Sequence, residues 1–227
     1  MPIVISSFSR FTTICLLCLW FQSVSAFACE SFIDTQGRSS VNLALLPGYF
    51  NVCSKDEIMC FLATADSPKS LTTLGVFTSV EEWDRSKRFE VIEHSRGMLA
   101  QRARTMTTQE FRELKDSVRK EANEVNGRAH IGALQLKEAV ALGVIHESHD
   151  SISTAVLARL TPPTDGGLLK GVTLITIRTL LQIKDETLSL ETTEQWMFPF
   201  YSGPEPSAES TTLLAKQWLE CIRSMNN

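Results

Sequence analysis

The sequence lacks the short motifs that mark the commonest catalytic and nucleotide-binding sites. It contains no Gly-x-Ser-x-Gly, the turn that presents the nucleophile of many serine hydrolases. Its glycine pair at 166–167 is followed by two leucines, whereas a phosphate-binding loop continues with Lys-Ser or Lys-Thr. The sequence therefore favours a protein that acts without catalysis, and we expect no cofactor.

Positive charge is also scarce for a nucleic-acid-binding protein. The chain has 22 Lys and Arg residues against 26 Asp and Glu, which gives a formal net charge of −4. General binding of nucleic acids depends on cationic side chains that neutralise phosphates. We therefore expect no nucleic-acid partner.

Long apolar runs are absent after the first 26 residues, whereas a membrane-spanning helix needs about 20 apolar residues. The N-terminus itself has Arg10 followed by a short apolar run over 11–21 and then by small residues. This order is typical of a secretory signal peptide. We predict a signal peptide over 1–26 with cleavage after Ala26, and Ala28 is a second candidate site.

Removal of such a signal leaves residues 27–227, a length that suits a single domain with its own core. The patterns predict an irregular N-terminal arm over 27–40 and an ordered domain after it. The expected location is secreted or periplasmic.

The cysteines agree with an exported protein. Of the six, two fall in the predicted signal peptide, and four remain: Cys29, Cys53, Cys60 and Cys221. An oxidising compartment favours disulfides, but four cysteines allow three pairings and the sequence does not choose among them. Cys53 and Cys60 are close enough to close a local loop, which would leave Cys29 to join Cys221. A buried free thiol at Cys221 is the alternative.

Cys29 also raises the question of a lipid anchor. The segment 26–29 resembles a bacterial lipoprotein box, in which the cysteine is lipidated. The usual leucine and small residue before the cysteine are replaced here by Ala26 and Phe27. We therefore keep a lipid anchor at Cys29 as a minor alternative to a soluble exported protein.

Hydrophobic periodicity and turn residues predict an α+β fold, an antiparallel β-sheet with amphipathic helices packed on its faces. Capping boxes start two helices, at Ser79 with Glu82 and at Thr107 with Glu110. A third, closing helix is predicted over about 207–224. Strands are predicted at 41–46, 49–52, 58–62, 71–78, 88–94, 139–146, 153–160, 172–184 and 187–193.

Two predicted strands share the sequence Leu-Gly-Val, centred on Gly75 and Gly143. Glycine inside a strand often marks a bulge or a close approach of another group. The pair is compatible with duplicated halves and equally with a shared structural requirement, so the sequence leaves both explanations open.

The order of these features resembles that of exported bacterial domains of uncharacterised function with a PsbP-like outline. The resemblance is carried by Pro47-Gly48-Tyr49, the two Leu-Gly-Val strands, the capped helix with Phe111 and the closing helix with Trp218. It implies an α/β/α sandwich that works by binding a partner. It assigns a functional role to no residue of this chain.

The segment 146–150, His-Glu-Ser-His-Asp, is the densest group of ligand-type side chains. His146 and His149, with Glu147 between them, could hold zinc in a metal-binding protein or a metal-dependent hydrolase. Residues three apart on a strand point to opposite faces, so the two imidazoles converge only where the strand ends. A hairpin turn exposed to solvent is the simpler interpretation.

Two further groups are candidates for an interface with a protein partner. Aromatic residues with polar groups, Trp196 and Tyr201, suit interfaces as well as core edges. Cationic residues that could receive an acidic partner are Arg85, Lys87, Arg88, Arg96, Arg102 and Arg104. The resulting hypothesis is an exported, non-catalytic, protein-binding domain, either an envelope accessory protein or an immunity protein against a toxin.

Overall fold

A computed structural model describes residues 29–32, 40–65, 68, 70–88, 90–124, 130–131, 134–162, 169–204 and 206–227. The predicted signal peptide lies outside the described residues, as does most of the predicted arm. The part of the arm that is described contains the first short strand.

The described residues form ten β-strands and four α-helices, which we number in chain order. The strands are β1 (Glu30–Phe32), β2 (Leu43–Leu45), β3 (Tyr49–Asn51), β4 (Thr72–Ser79), β5 (His94–Thr105), β6 (His130–Ile131), β7 (Leu134–Glu147), β8 (Ser151–Thr161), β9 (Gly171–Ile183) and β10 (Glu186–Phe198). The helices are α1 (Glu57–Thr64), α2 (Val80–Lys87), α3 (Thr108–Glu121) and α4 (Ala208–Ser224).

Eight strands form one sheet in the order β3-β4-β5-β10-β9-β8-β7-β6, and every neighbouring pair is antiparallel. Strands β1 and β2 form a separate antiparallel pair. The predicted α+β class and the antiparallel sheet are therefore confirmed.

The predicted helix starts are also confirmed. The hydroxyls of Ser79 and Thr107 accept hydrogen bonds from the backbone N–H of Glu82 and Glu110, and both carboxylates complete capping boxes. These local contacts satisfy backbone donors that would otherwise have no partner at the helix start.

Two predicted strands are wrong. The strand expected over 58–62 is part of helix α1, which begins where Asp56 Oδ1 accepts a hydrogen bond from Met59 N at 3.0 Å. The strand expected over 88–94 is displaced, because β5 begins only at His94. A short apolar run fits a strand and a helix equally well, and at α1 the cap decides.

Helix α4 packs on one face of the sheet and forms the main core with β2 and β1. Trp218 is fully buried there, its ring lies 5.9 Å from that of Phe77, and its Nε1–H donates to Ala44 O at 2.8 Å. Strand β9 directs the buried side chains Ile177 and Leu181 towards this face, as the alternation in its sequence predicts. This core fixes the position of α4, which also contributes to the charged cluster described below.

Helix α3 lies on the opposite face. Its Lys115 and Arg119 contact Glu147, which pairs in register with Ile152 of β8. On α4, by contrast, Ala215 packs against Ala155 of β8. Residues 152 and 155 of β8 differ by an odd number, so they point to opposite faces of the sheet. Helices therefore cover both faces.

The two Leu-Gly-Val glycines both lie at β-bulges, as predicted. The register of β4 shifts next to Gly75, and that of β7 shifts next to Gly143. Gly143 has φ +75°, a conformation that favours glycine, and a Cβ at Gly75 would overlap the ring of Phe77. Each glycine therefore meets a structural requirement of its own.

Strand β7 is irregular along its length. Its register with β8 shifts at three places, and β6 pairs only with Leu134 and Gln135. Within the described ranges, the rest of β7 has a strand partner on one side alone.

Both disulfides suggested by spacing are present. Cys53 pairs with Cys60 at a Cα–Cα distance of 4.7 Å, and Cys29 pairs with Cys221 of α4 at 5.6 Å. The buried free thiol considered for Cys221 is therefore wrong. A Cys29 sulfur bonded to Cys221 has no valence left for a lipid thioether, so the anchor and this disulfide exclude each other.

No helix in the described part of the chain is both long and apolar enough to cross a membrane.

Candidate functional site

Helix α1 exposes three large apolar side chains. The relative exposure of Ile58 is 72%, that of Phe61 is 68% and that of Met59 is 46%. Ile58 and Phe61 are three residues apart, so they lie on one side of the helix. We call Ile58, Met59 and Phe61 the α1 patch. No motif in the sequence indicated it, because this segment was predicted as a strand.

The helix that carries the α1 patch is held at three points. Asp56 caps it, and the Cys53–Cys60 disulfide ties its second turn to the preceding 3-10 turn. Asp56 Oδ2 also lies 3.1 Å from Lys87 Nζ at the end of α2. The hydrogen bond from Met59 N–H and the nearby Lys87 ammonium lower the pKa of Asp56. The patch is thus presented on a fixed helix.

Next to α1, helix α2 carries an aromatic contact. The ring of Trp83 lies edge-to-face against Phe50 at 5.4 Å, and Lys87 Nζ lies 4.3 Å above the Trp83 ring. The alkyl stem and the charge of Lys87 thereby link this aromatic pair to Asp56 at the start of α1.

The predicted cationic stretch does not form one basic surface. Ion pairs join Arg85 to Glu90 and Glu93, and Arg88 to Glu90. In all, five of the six predicted cations have acidic partners: Arg85, Lys87, Arg88, Arg96 and Arg104. Arg102 forms no ion pair with a described residue. Local neutralisation weakens the attraction that this stretch would exert on an acidic partner.

Arg96 contributes instead to a charged cluster between the sheet and α4. The side chain of Glu194, in β10, is only 1% exposed. Its Oε1 accepts hydrogen bonds from Arg96 Nε at 2.8 Å and from His94 Nε2 at 2.7 Å. Its Oε2 accepts from the hydroxyls of Ser210 at 2.6 Å and Thr211 at 2.7 Å. Glu194 therefore has partners on both oxygens.

Burial alone would raise the pKa of Glu194. The hydrogen bonds from Ser210, Thr211 and Arg96 outweigh burial, and they leave the pKa below its ordinary value. The carboxylate lies at the start of α4, where Ser207 makes no side-chain cap. A negative charge is favourable at that end of a helix. The negative charge of Glu194 thus stabilises this end of α4.

Aromatic rings enclose the exposed side of this cluster. The imidazole of His94 stacks on Trp196 with ring centroids 5.2 Å apart, and Tyr201 lies 5.9 Å from His94. Burial, followed by the nearby Glu82 carboxylate, raises the pKa of Tyr49 to about 12. In this cluster, three of the predicted interface residues lie close together: Arg96, Trp196 and Tyr201.

The four donors occupy both oxygens of Glu194, so no lone pair remains to take a proton from a substrate. These contacts instead hold α4 against the sheet. Sequence reasoning missed Glu194, although a signal was present. Leu188, Leu190 and Trp196 lie on the same buried face of β10 as Glu194. A carboxylate on such an apolar face needs a cation or hydrogen-bond donors beside it.

The segment His146–Asp150 forms the turn between β7 and β8, as expected of a hairpin. Ion pairs nevertheless join this turn to helices α3 and α4. Glu147 Oε1 lies 2.6 Å from Arg119 Nη2 of α3, and Asp150 Oδ2 accepts from Arg223 Nε of α4 at 2.9 Å. Burial and the Arg223 charge lower the pKa of His146. The interpretation as a simple solvated turn is therefore incomplete.

Within the described ranges, no three His, Cys, Asp or Glu side chains are close enough to hold a metal ion. The imidazole of His94 is hydrogen-bonded to Glu194. The zinc hypothesis for His146 and His149 stays a prediction. Elemental analysis of the purified protein and of a His146→Ala variant would test it.

Comparison with known proteins adds little. No protein-family model and no curated protein matches the chain. Among solved structures, the Ran-binding protein Mog1p of Saccharomyces cerevisiae matches 88% of this chain and 93% of its own at 7% identity, with a TM-score of 0.34. So low a TM-score supports no inference about this protein. None of these comparisons confirms the PsbP-like outline.

Proposed function

We propose that this protein is an exported protein-binding domain that contacts its partner through the α1 patch. The observation that carries the proposal is the exposure of Ile58, Met59 and Phe61 on one eight-residue helix. Single exposed apolar residues are normal on protein surfaces, but a cluster on one element is typical of an interaction site.

The composition of the α1 patch supports a protein partner. The centres of protein interfaces are enriched in Met and aromatic residues and depleted of charge, while their rims are polar. Ile58, Met59 and Phe61 match such a centre, and the exposed side chains of Lys55 and Glu57 supply charges beside it. Because α1 is already fixed by its cap and disulfide, little conformational entropy is lost when it binds.

Export is part of the proposal. Residues 1–26 have the order of a signal peptide, and two disulfides are consistent with an oxidising compartment. In such a location an accessory protein of the envelope or a toxin-immunity protein would act by binding. A PsbP-like outline would fit the same function.

The experiment compares three forms of the folded, oxidised protein. A photo-crosslinking amino acid at position 59 first captures and identifies the partner from the native envelope or medium. The affinity of the purified partner is then measured for the native protein, for an Ile58→Asp/Phe61→Asp variant and for Leu213→Asp. Leu213 is the matched control, because it is a similarly exposed apolar residue on α4.

We expect the double variant to lose at least about tenfold in affinity, which corresponds to 1.4 kcal/mol. The control is expected to bind as the native protein does, and all forms should unfold at similar temperatures. Equal affinity of the double variant and the native protein would refute a contact through α1.

A further inference from the structure

A second feature lies where strands β8 and β10 end and β9 begins. Leu160 of β8 is paired with Val172 of β9, and Phe198 is the last residue of β10. The chain then returns through Gly203 and Pro204 over these strand ends. Between them the described residues line a cavity of about 440 Å³ that is open to solvent on one side.

The walls of this cavity are largely apolar. The apolar side chains on this side of the sheet are Leu157, Phe198, Pro204 and Pro206. Small-molecule sites commonly occupy about 300–1,000 Å³ and combine apolar walls with a few polar groups, so this cavity has the size and lining of a ligand site.

Three cations line the same cavity: Lys137, Arg159 and Lys170. Arg159 Nη1 lies 2.8 Å from Glu138 Oε2, so its charge is largely compensated. Lys137 and Lys170 are exposed and form no ion pair with a described residue. Two positive charges without an ion-pair partner among the described residues therefore lie beside an apolar cavity, on a chain whose formal net charge is −4.

We propose that this cavity binds a small organic anion with an apolar tail, such as a medium-chain carboxylate. The tail would lie against Leu157, Phe198 and Pro204, and the anionic head would pair with Lys137 and Lys170. An apolar ligand without charge would leave both ammonium groups unpaired, and an inorganic anion would leave the apolar wall in contact with water. Only an amphiphilic anion satisfies both parts.

Isothermal titration with octanoate, octanol and acetate separates these contributions. Octanoate carries both head and tail, octanol lacks the charge and acetate lacks the tail. We expect saturable binding of octanoate, binding of octanol weaker by at least about tenfold, and no measurable binding of acetate. Added salt should lower the affinity for octanoate and leave the affinity for octanol unchanged.

Two variants locate the site. Lys137→Gln/Lys170→Gln should reduce octanoate affinity about tenfold, whereas the control Lys120→Gln/Lys216→Gln, with the same change of net charge, should not. Thr161→Trp, at the cavity wall, should abolish binding of octanoate and octanol alike. The Ile58→Asp/Phe61→Asp variant should bind octanoate normally, because the α1 patch is a separate surface.

Absence of saturable octanoate binding to the native protein would overturn the proposal. So would octanoate binding that survives both the lysine substitutions and Thr161→Trp, or acetate binding as tight as that of octanoate. Octanol binding as tight as octanoate would also overturn it, because the cations would then have no role.

Discussion

Replacement of Glu194 by glutamine tests the contact that joins α4 to the sheet. The substitution keeps the shape of the side chain but removes its charge and one of its two acceptor oxygens. At least one donor pair, either Arg96 with His94 or the two hydroxyls of α4, then loses its carboxylate oxygen. The effect is a loss of stability without a change of fold.

The magnitude follows from the burial of the partners. Breaking a fully buried ion pair costs about 3–5 kcal/mol. Here the carboxylate is 1% exposed but the Arg96 side chain is 38% exposed, so water can solvate the arginine after the substitution. We therefore expect Glu194→Gln to lower the free energy of unfolding by about 2–3 kcal/mol at neutral pH.

The matched control is Glu191→Gln on the same strand. Glu191 Oε2 lies 3.1 Å from Arg178 Nη2, and the Arg178 side chain is mostly exposed. Such a pair contributes at most about 1 kcal/mol. Urea unfolding of the oxidised proteins, followed by circular dichroism, measures both losses under one set of conditions.

The pH dependence gives an independent check. Because the folded state lowers the pKa of Glu194, its stabilising contribution is fully present above the unfolded value of about 4.3. That contribution is lost as the pH falls through the lowered value, when the carboxylate takes up a proton. The difference in stability between the native protein and Glu194→Gln should therefore shrink on acidification below about pH 4. Equal losses of unfolding free energy in Glu194→Gln and Glu191→Gln at pH 7 would refute this role of Glu194. So would a stability difference between the native protein and Glu194→Gln that does not change with pH.

Three further outcomes follow from the fold. Removing the long-range disulfide with Cys29→Ser/Cys221→Ser should cost about 5 kcal/mol of unfolding free energy, because it closes most of the chain into a loop. The short-range pair should cost less, about 2.5 kcal/mol for Cys53→Ser/Cys60→Ser, and urea unfolding that ranks the two pairs in the opposite order would contradict the loop argument. Gly143→Ala should lower the unfolding free energy by about 1–2 kcal/mol because its φ is positive, and an unchanged thermal midpoint would contradict this.

Local signals predicted much of the fold. The capping boxes at Ser79 and Thr107 act within four residues, so the sequence is sufficient to locate those helix starts. The strand predicted over 172–184 corresponds to β9 (Gly171–Ile183), in which apolar residues alternate and one face packs against α4. The spacing of seven residues between Cys53 and Cys60 similarly favoured their pairing.

The parts that were missed depend on neighbours distant in sequence. Helix α1 was predicted as a strand because its apolar residues suggest burial, yet Ile58 and Phe61 are exposed. The partners of Glu194 lie 98 or more residues before it on β5 and 16 or more after it on α4. No local pattern contains that pairing, although the carboxylate on an apolar face indicated that one was needed.

The three interruptions of β7 bear on how the protein behaves in concentrated solution. An uncovered strand offers a row of N–H and C=O groups that can recruit a strand from another molecule, the first step towards aggregation. Such recruitment requires a continuous register, and the bulges of β7 break it at three places. We therefore expect the Gly143 conformation, which disturbs the hairpin locally, to hinder pairing between molecules, and we expect a variant with a regular β7 to aggregate more readily.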